Sequence, residues 1–256
     1  MHRRSFLAGL GALAAGCAPA ASTPRVAAAA DLRFALPEIA ASFEAETGQQ
    51  LRLIYGSTGQ FAAQIRQSAP FDLFLAADES YALALAREGL TQGQGQLYAR
   101  GRLALIARPE SPLAQSPRLE TLATLLANGQ IRRFAVANPA HAPYGARAQQ
   151  ALESTGLWAT LQPRLLIGEN VAQAAQFALS PDCDGGLVAL SLALAPDIAA
   201  KSRHAPVPAT LHDPLNQRMV LLKSAAPAAR AFHDHLLKPK ARATLARYGF
   251  EPPESA

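Results

Sequence analysis

The chain runs to 256 residues, half of them hydrophobic and 17% charged, an ordinary globular composition with material for one or two packed cores. Its formal charge of +5 is scattered, with no basic run and no aromatics interleaved with arginine to mark a nucleic-acid surface. Past residue 16 no apolar stretch is long enough to span a membrane.

The N-terminus, MHRRSFLAGLGALAAGCAPA, has an arginine pair, an apolar stretch from Phe6 to Ala15 and then small residues, the pattern of an export signal. Arg3-Arg4 ahead of Ser5-Phe6-Leu7 resembles a twin-arginine signal. Two processing sites fit: LAAGC makes Cys17 the lipidated residue of a lipoprotein, and cleavage after Ala18-Pro19-Ala20 satisfies the small-x-small rule. Loss of residues 1–16 removes Arg3 and Arg4 and no acid, so +5 becomes +3. Residues 1–24 are therefore expected to be signal and leader of a periplasmic protein, free or anchored by a lipid. Cys183, in PDCDGG, is left without an intramolecular partner and reads as structural.

From Arg25 the pattern alternates. RVAAAA reads as a short buried strand, and Leu32, Leu36, Ile39 and Phe43 mark one face of a helix ending near Gly48. QLRLIY is the next strand, followed by a helix from about Gly59 with Phe61 and Ile65 on one side. FDLFLAA is a third strand, with Asp78 placed to cap the helix after it. RLALIARPESP leaves this unit, and a second one alternates through TLATLLAN, RRFAVAN, APYGARAQQALESTG, RLLIG, NVAQAAQFALS and DGGLVAL. RMVLLK then returns, followed by two helices. Alternation predicts an α/β protein with mostly parallel sheets. Two lobes joined by two crossing segments account for the order, with 25–106 plus 212–256 as the first lobe and 107–211 as the second.

Chemistry is expected at four junctions that lead into helices: AAAADL with Ala30 and Asp31, GSTG with Ser57 and Thr58, HAPYG with Tyr144 and Gly145, and GENV with Asn170 and Val171. GSTG is not a nucleotide phosphate loop, because Gly59 is followed by Gln60 and Phe61 where such a loop needs Lys and Ser or Thr. Ligands of open α/β sheets bind at the carboxyl ends of strands, where helix N-termini offer free N–H groups and about half a positive charge each. Four such ends converging in a cleft would suit a small oxyanion without lysine or arginine; the plainer alternative is four well-capped helices.

From about Val26 to Phe250 the chain resembles the periplasmic molybdate-binding proteins of ABC importers. The resemblance lies in VAAAADLRFALPEIAASFEAETG, YGSTGQFAAQIRQSAPFDLFLAADES, ANPAHAPYGARAQQALESTGLW, GENVAQAAQFALS, GGLVALS and RYGFEP, in that order. It implies the two-lobe periplasmic-binding-protein fold of type II, with the ligand between the lobes. It further implies a solute-binding component of an ABC importer, capturing molybdate or tungstate. Carried over by position, the ligand residues are Ala30, Asp31, Thr58, Tyr144 and Val171, the last through its backbone N–H, with Ser57 as a helper. The metal of the oxyanion would have no direct protein ligand. No cofactor, catalytic residue or nucleic-acid partner is expected; the partners are the oxyanion and a membrane permease, and the chain is expected to be monomeric.

One position departs from that family, which offers a neutral hydroxyl or amide donor where this chain has Asp31. Two unit charges about 4 Å apart repel by roughly 4 kcal/mol at an effective dielectric of about 20, and a dianion roughly doubles this. That would erase most of a micromolar affinity of about 8 kcal/mol. Three resolutions are open. Asp31 turns back as an N-cap onto the amides near Arg33 and Phe34, which is the one expected; it is protonated in the bound state; or the ligand is not a dianion. The rivals are another oxyanion, a cation-bearing solute pairing with Asp31, or an enzyme acting on phosphate or sulfate esters. Ser68 stands where the family has glycine, a change expected to be minor. His233 and His235 are expected to be solvated, Asp72 to tie a turn to a strand end, Trp158 to pack in the second lobe, and Glu169 to support its own loop.

Overall fold

The computed structural model describes residues 23–253, so the expected export signal and Cys17 lie outside the described residues. The first lobe begins with β1 (Arg25–Ala29), a 3-10 turn (Ala30–Leu32), α1 (Ala35–Thr47), β2 (Arg52–Gly56), α2 (Thr58–Arg66), β3 (Leu73–Ala76), α3 (Glu79–Arg87) and β4 (Gln96–Gly101). The second lobe holds β5 (Leu103–Ala107), α4 (Leu119–Ala127), β6 (Phe134–Ala137), α5 (Pro143–Ser154), α6 (Trp158–Leu161) and β7 (Leu165–Gly168). It continues with α7 (Val171–Ala178), β8 (Gly186–Ala189), α8 (Leu190–Ala193), α9 (Pro196–Ala199) and β9 (Arg203–Pro206). The chain returns through β10 (Leu215–Leu221) and ends in α10 (Pro227–Leu236) and α11 (Pro239–Arg247).

Each lobe is built on one five-stranded sheet, in the order β2-β1-β3-β10-β4 and β7-β6-β8-β5-β9. β1 pairs in parallel with β2 and β3, and β6 with β7 and β8. Only the strand that follows each crossing opposes its neighbours: β10 is antiparallel to β3 and β4, and β5 to β8 and β9. The sheets are thus mixed, with helices on both faces.

Alanine has little intrinsic preference for strands, yet Val26–Ala29 forms one because both faces are covered and its neighbours pair along the whole edge. The small side chains leave room for Leu36, Ile39 and Phe43 of α1 on one face and Phe61 and Ile65 of α2 on the other. The second-lobe core does not stop at the lobe boundary: Ala29, Ala30 and Ala77 pack into it from the first lobe. Trp158 packs against that core as expected. Asp72 accepts from Arg25 N at 2.8 Å and Ala226 N at 3.0 Å, and so holds a turn to a strand end.

Three expectations change. The first crossing lies at Arg102 and not at 106/107, because Leu103–Ala107 pairs with the second sheet; the return lies between Pro206 and Leu215. Leu32 belongs to the 3-10 turn that precedes α1, not to the helix. His235 is buried against the rings of Phe43 and Phe232, because it lies on the core face of α10 with Phe232 and Leu236. No cluster of His, Cys, Asp or Glu able to hold a metal occurs among the described residues.

Ser68 ends the turn after α2 with φ of 62°, in the left-handed region where a Cβ is disfavoured. Ser68→Gly is therefore expected to stabilise the protein by about 0.5–1 kcal/mol. In thermal unfolding, that is a Tm rise of about 1–4 °C; an unchanged or lower Tm would mean the turn carries no strain.

Candidate functional site

The carboxyl ends of β1, β2, β6 and β7 face one another across the lobe boundary, and the turns that follow close on a small cavity of about 10 Å³. All six expected residues, Ala30, Asp31, Ser57, Thr58, Tyr144 and Val171, line it. Each is buried, between 1% and 4% exposed. Small-molecule pockets usually measure about 300–1,000 Å³, so this closed cavity is far smaller and leaves room for only the most compact ligand.

Each wall has a local cause. Pro143 occupies the first turn of α5, where its missing N–H costs nothing, and the amides of Tyr144 and Gly145 follow it without intrahelical acceptors. Asn170 caps α7, its side-chain oxygen accepting from Ala172 N at 3.0 Å and Gln173 N at 3.1 Å, which leaves the Val171 amide as the free one. Thr58 opens α2, and its hydroxyl oxygen accepts from Ala77 N at 3.1 Å, so the hydroxyl proton remains available. Gly145 is required for a close approach: a Cβ there would lie 2.3 Å from the Ala137 carbonyl oxygen. Among the described residues, no lysine or arginine lines the cavity. The site offers amides, the Thr58 hydroxyl and the partial charge of helix N-termini.

Asp31 is not the N-cap expected of it. The 3-10 turn has no side-chain cap bond, because Ala29 occupies the capping position and Asp31 lies inside the turn. The carboxylate instead reaches tertiary donors: Oδ2 accepts from Tyr144 Oη at 3.0 Å and from Gln217 Nε2 at 2.5 Å. Tyr98 Oη donates to Gln217 Oε1 at 2.6 Å, which fixes the orientation of that amide. Ser191 Oγ donates to the Asp31 carbonyl at 2.8 Å. Asp31 Oδ1 is buried and has no hydrogen-bond partner, an omission that costs on the order of 1–3 kcal/mol in a protein interior. Burial raises the Asp31 carboxyl to about 6, against the opposing effect of the Gln217 and Tyr144 hydrogen bonds and, more weakly, of the Asp31 and Leu32 amides. The folded chain therefore holds this proton more tightly than the unfolded one. The stability it contributes is complete below 3.8 and is lost as the pH rises through about 6.

A second cluster closes the mouth of the cleft. Gly59 N donates to the His141 carbonyl at 2.9 Å, and the Ser57 hydroxyl donates to the same oxygen. His141 Nδ1 lies 2.9 Å from Ser57 Oγ, and its Nε2 lies 3.5 Å from Glu169 Oε2. Gln60 Nε2 donates to Glu169 Oε2 at 2.8 Å, so Glu169 bridges the lobes where it was expected to serve its own loop. Ser57, His141 and Glu169 have the outward order of a nucleophile, base and acid. The Ser57 hydroxyl is nevertheless buried and committed to a carbonyl, and the three belong to two lobes. Nearby, Arg147 of α5 pairs with Asp78 at 2.6 Å, while Asp78 also caps α3 through Ser80 N at 2.8 Å.

Gln217, Tyr98, Ser191 and His141 escaped the sequence reading. Gln217 carried little signal, since it sits between the polar Asn216 and Arg218 of β10, yet unlike them it is fully buried. His141 carried none beyond its place in HAPYG.

The family model of bacterial extracellular solute-binding proteins matches residues 24–251. The molybdate-binding protein ModA of Azotobacter vinelandii is 35% identical over 244 residues, 94% of each chain. The protein of that name from Rhodobacter capsulatus is 34% identical over 93% of each. A solved structure of the Azotobacter vinelandii periplasmic molybdate-binding protein superposes with a TM-score of 0.81 at 31% identity, covering 90% of this chain and 100% of that one. With fold and sequence in agreement over nearly the whole described chain, the protein belongs to the bacterial extracellular solute-binding protein family.

Proposed function

We propose that the protein is the solute-binding component of an ABC importer and captures molybdate or tungstate in the cleft between its lobes. The observation that carries this reading is the convergence, from both lobes, of the Thr58 hydroxyl and the Thr58, Tyr144 and Val171 amides on one cavity without a cation. A tetrahedral dianion can accept a donor on each oxygen, and helix N-termini supply such donors without a counter-charge. The names of the relatives support the same ligand class. Sulfate shares the charge and shape, so selection against it rests on cavity size. Thr58 belongs to the first lobe and Tyr144 and Val171 to the second; an ion contacting both stabilises the closed form, which a membrane permease then recognises. No cofactor takes part. The protein works in the periplasm, as an exported monomer that is soluble or held by a lipid at Cys17.

Calorimetric titration with molybdate, tungstate and sulfate is the test. Submicromolar binding of the first two and none of sulfate is expected; silence with all three would overturn the reading. Thr58→Ala removes one donor to a charged ligand and is expected to weaken molybdate about 10- to 100-fold. Gly59→Ala tests closure, because a Cβ there would meet the His141 carbonyl oxygen at 2.6 Å. It should reduce affinity at least about tenfold, since a closed form held partly shut binds in proportion to its population. An unchanged affinity would show that the clasp plays no part.

A further inference from the structure

Among the described residues, Asp31 is the one charged side chain on the wall of the cavity. No Lys, Arg or His forms an ion pair with it among the described residues. The titratable side chains around it are the phenols of Tyr98 and Tyr144, which burial holds well above their usual range and the Asp31 charge raises further. β2, packed on the same turn, adds Tyr55, also raised by burial, and the exposed Arg52. α7 and α8 pack on the turn and carry no titratable side chain. Arg33, next in the chain but one, is exposed.

The hydrogen bonds distinguish the two carboxyl oxygens. Oδ2 accepts from Tyr144 and Gln217, while Oδ1 is buried without a partner. As a carboxylate, Asp31 has no proton to give, and it also takes the only proton of the Tyr144 hydroxyl. As an acid with the proton on Oδ1, it keeps both bonds to Oδ2 and gains a donor at the oxygen that has none.

We infer that Asp31 is a proton-carrying ligand residue: on binding the oxyanion it takes one proton from solvent onto Oδ1 and donates that proton to an oxygen of the ion. The inference rests on the oxyanion reading and specifies how this chain accommodates an acid where its relatives by resemblance place a neutral donor. It converts a repulsion into a hydrogen bond and couples capture to pH. The direction of the buried carboxyl agrees: burial has already raised it to about 6, and the charge of a dianion beside it raises it further in the bound state. Above that pH each further unit should cost a factor of ten in affinity, because the protonated fraction of the free protein falls by that factor.

The test is calorimetry of the purified protein with molybdate from pH 6 to 8.5, in pairs of buffers with different heats of ionisation. The expected results are uptake of close to one proton per ion at pH 7.5 and an affinity about tenfold weaker at pH 8 than at pH 7. Asp31→Asn, which keeps a donor at the same place, should bind without proton uptake, with an affinity independent of pH and tighter than the native protein at pH 8. Native binding with no proton uptake and no dependence on pH would overturn the inference while leaving the oxyanion reading intact. Loss of molybdate binding in a folded Asp31→Asn protein would also overturn it, by showing that the carboxylate is wanted as an acceptor. No binding by either protein at any pH would overturn the oxyanion reading and the inference with it.

Discussion

A backbone N–H carries only a fraction of a charge, so several must point at one spot, with water shut out, before they can rival a single lysine. That constraint governs the architecture. Parallel strands deliver their carboxyl ends, and with them the N-termini of the following helices, to one edge of a sheet. Two such sheets must then face each other, which the chain achieves by crossing at Arg102 and returning ahead of Leu215. The single opposed strand in each sheet, β5 or β10, is the one that enters directly after a crossing.

Keeping water out falls to contacts between the lobes, and these come in layers. At the floor, Asp31 and Gln217 of the first lobe meet Tyr144 and Ser191 of the second. Gly101 lies beside this cluster at the crossing, and a Cβ there would sit 2.2 Å from Tyr144 Oη. At the mouth, Ser57, Gly59 and Gln60 meet His141 and Glu169. Arg147 and Asp78 form a flanking ion pair whose side chains are 15% and 13% exposed. The cavity wall itself is made of small residues and helix ends, so specificity resides in spacing more than in side-chain chemistry.

Much of this is legible in the sequence. Alternating strands and helices, the Pro143 start of α5 and the Asn170 cap of α7 are local signals, and local rules read them correctly. The four junctions could be singled out because small and hydroxyl residues ended strands just where helices began. What could not be read were pairings between distant segments: Asp31 with Gln217, separated by 186 positions, and Ser57 with His141, separated by 84. Asp31 shows how the local rule failed. An acid near a helix start is usually a cap, but here two buried donors from other elements compete for it, and the turn places it two steps inside the capping position. The strand Leu103–Ala107 was visible as a strand, whereas its membership of the second sheet depends on partners over eighty residues along the chain.

The central claim is that the ion is held where the helix N-termini of the two lobes meet. Crystals grown with tungstate and measured at the tungsten absorption edge test it most directly. The account predicts one strong anomalous peak per molecule, enclosed by the Thr58 hydroxyl and the Tyr144 and Val171 amides, with Asp31 alongside. A peak at any other place, or an empty cavity in a protein that binds tungstate in solution, would contradict it.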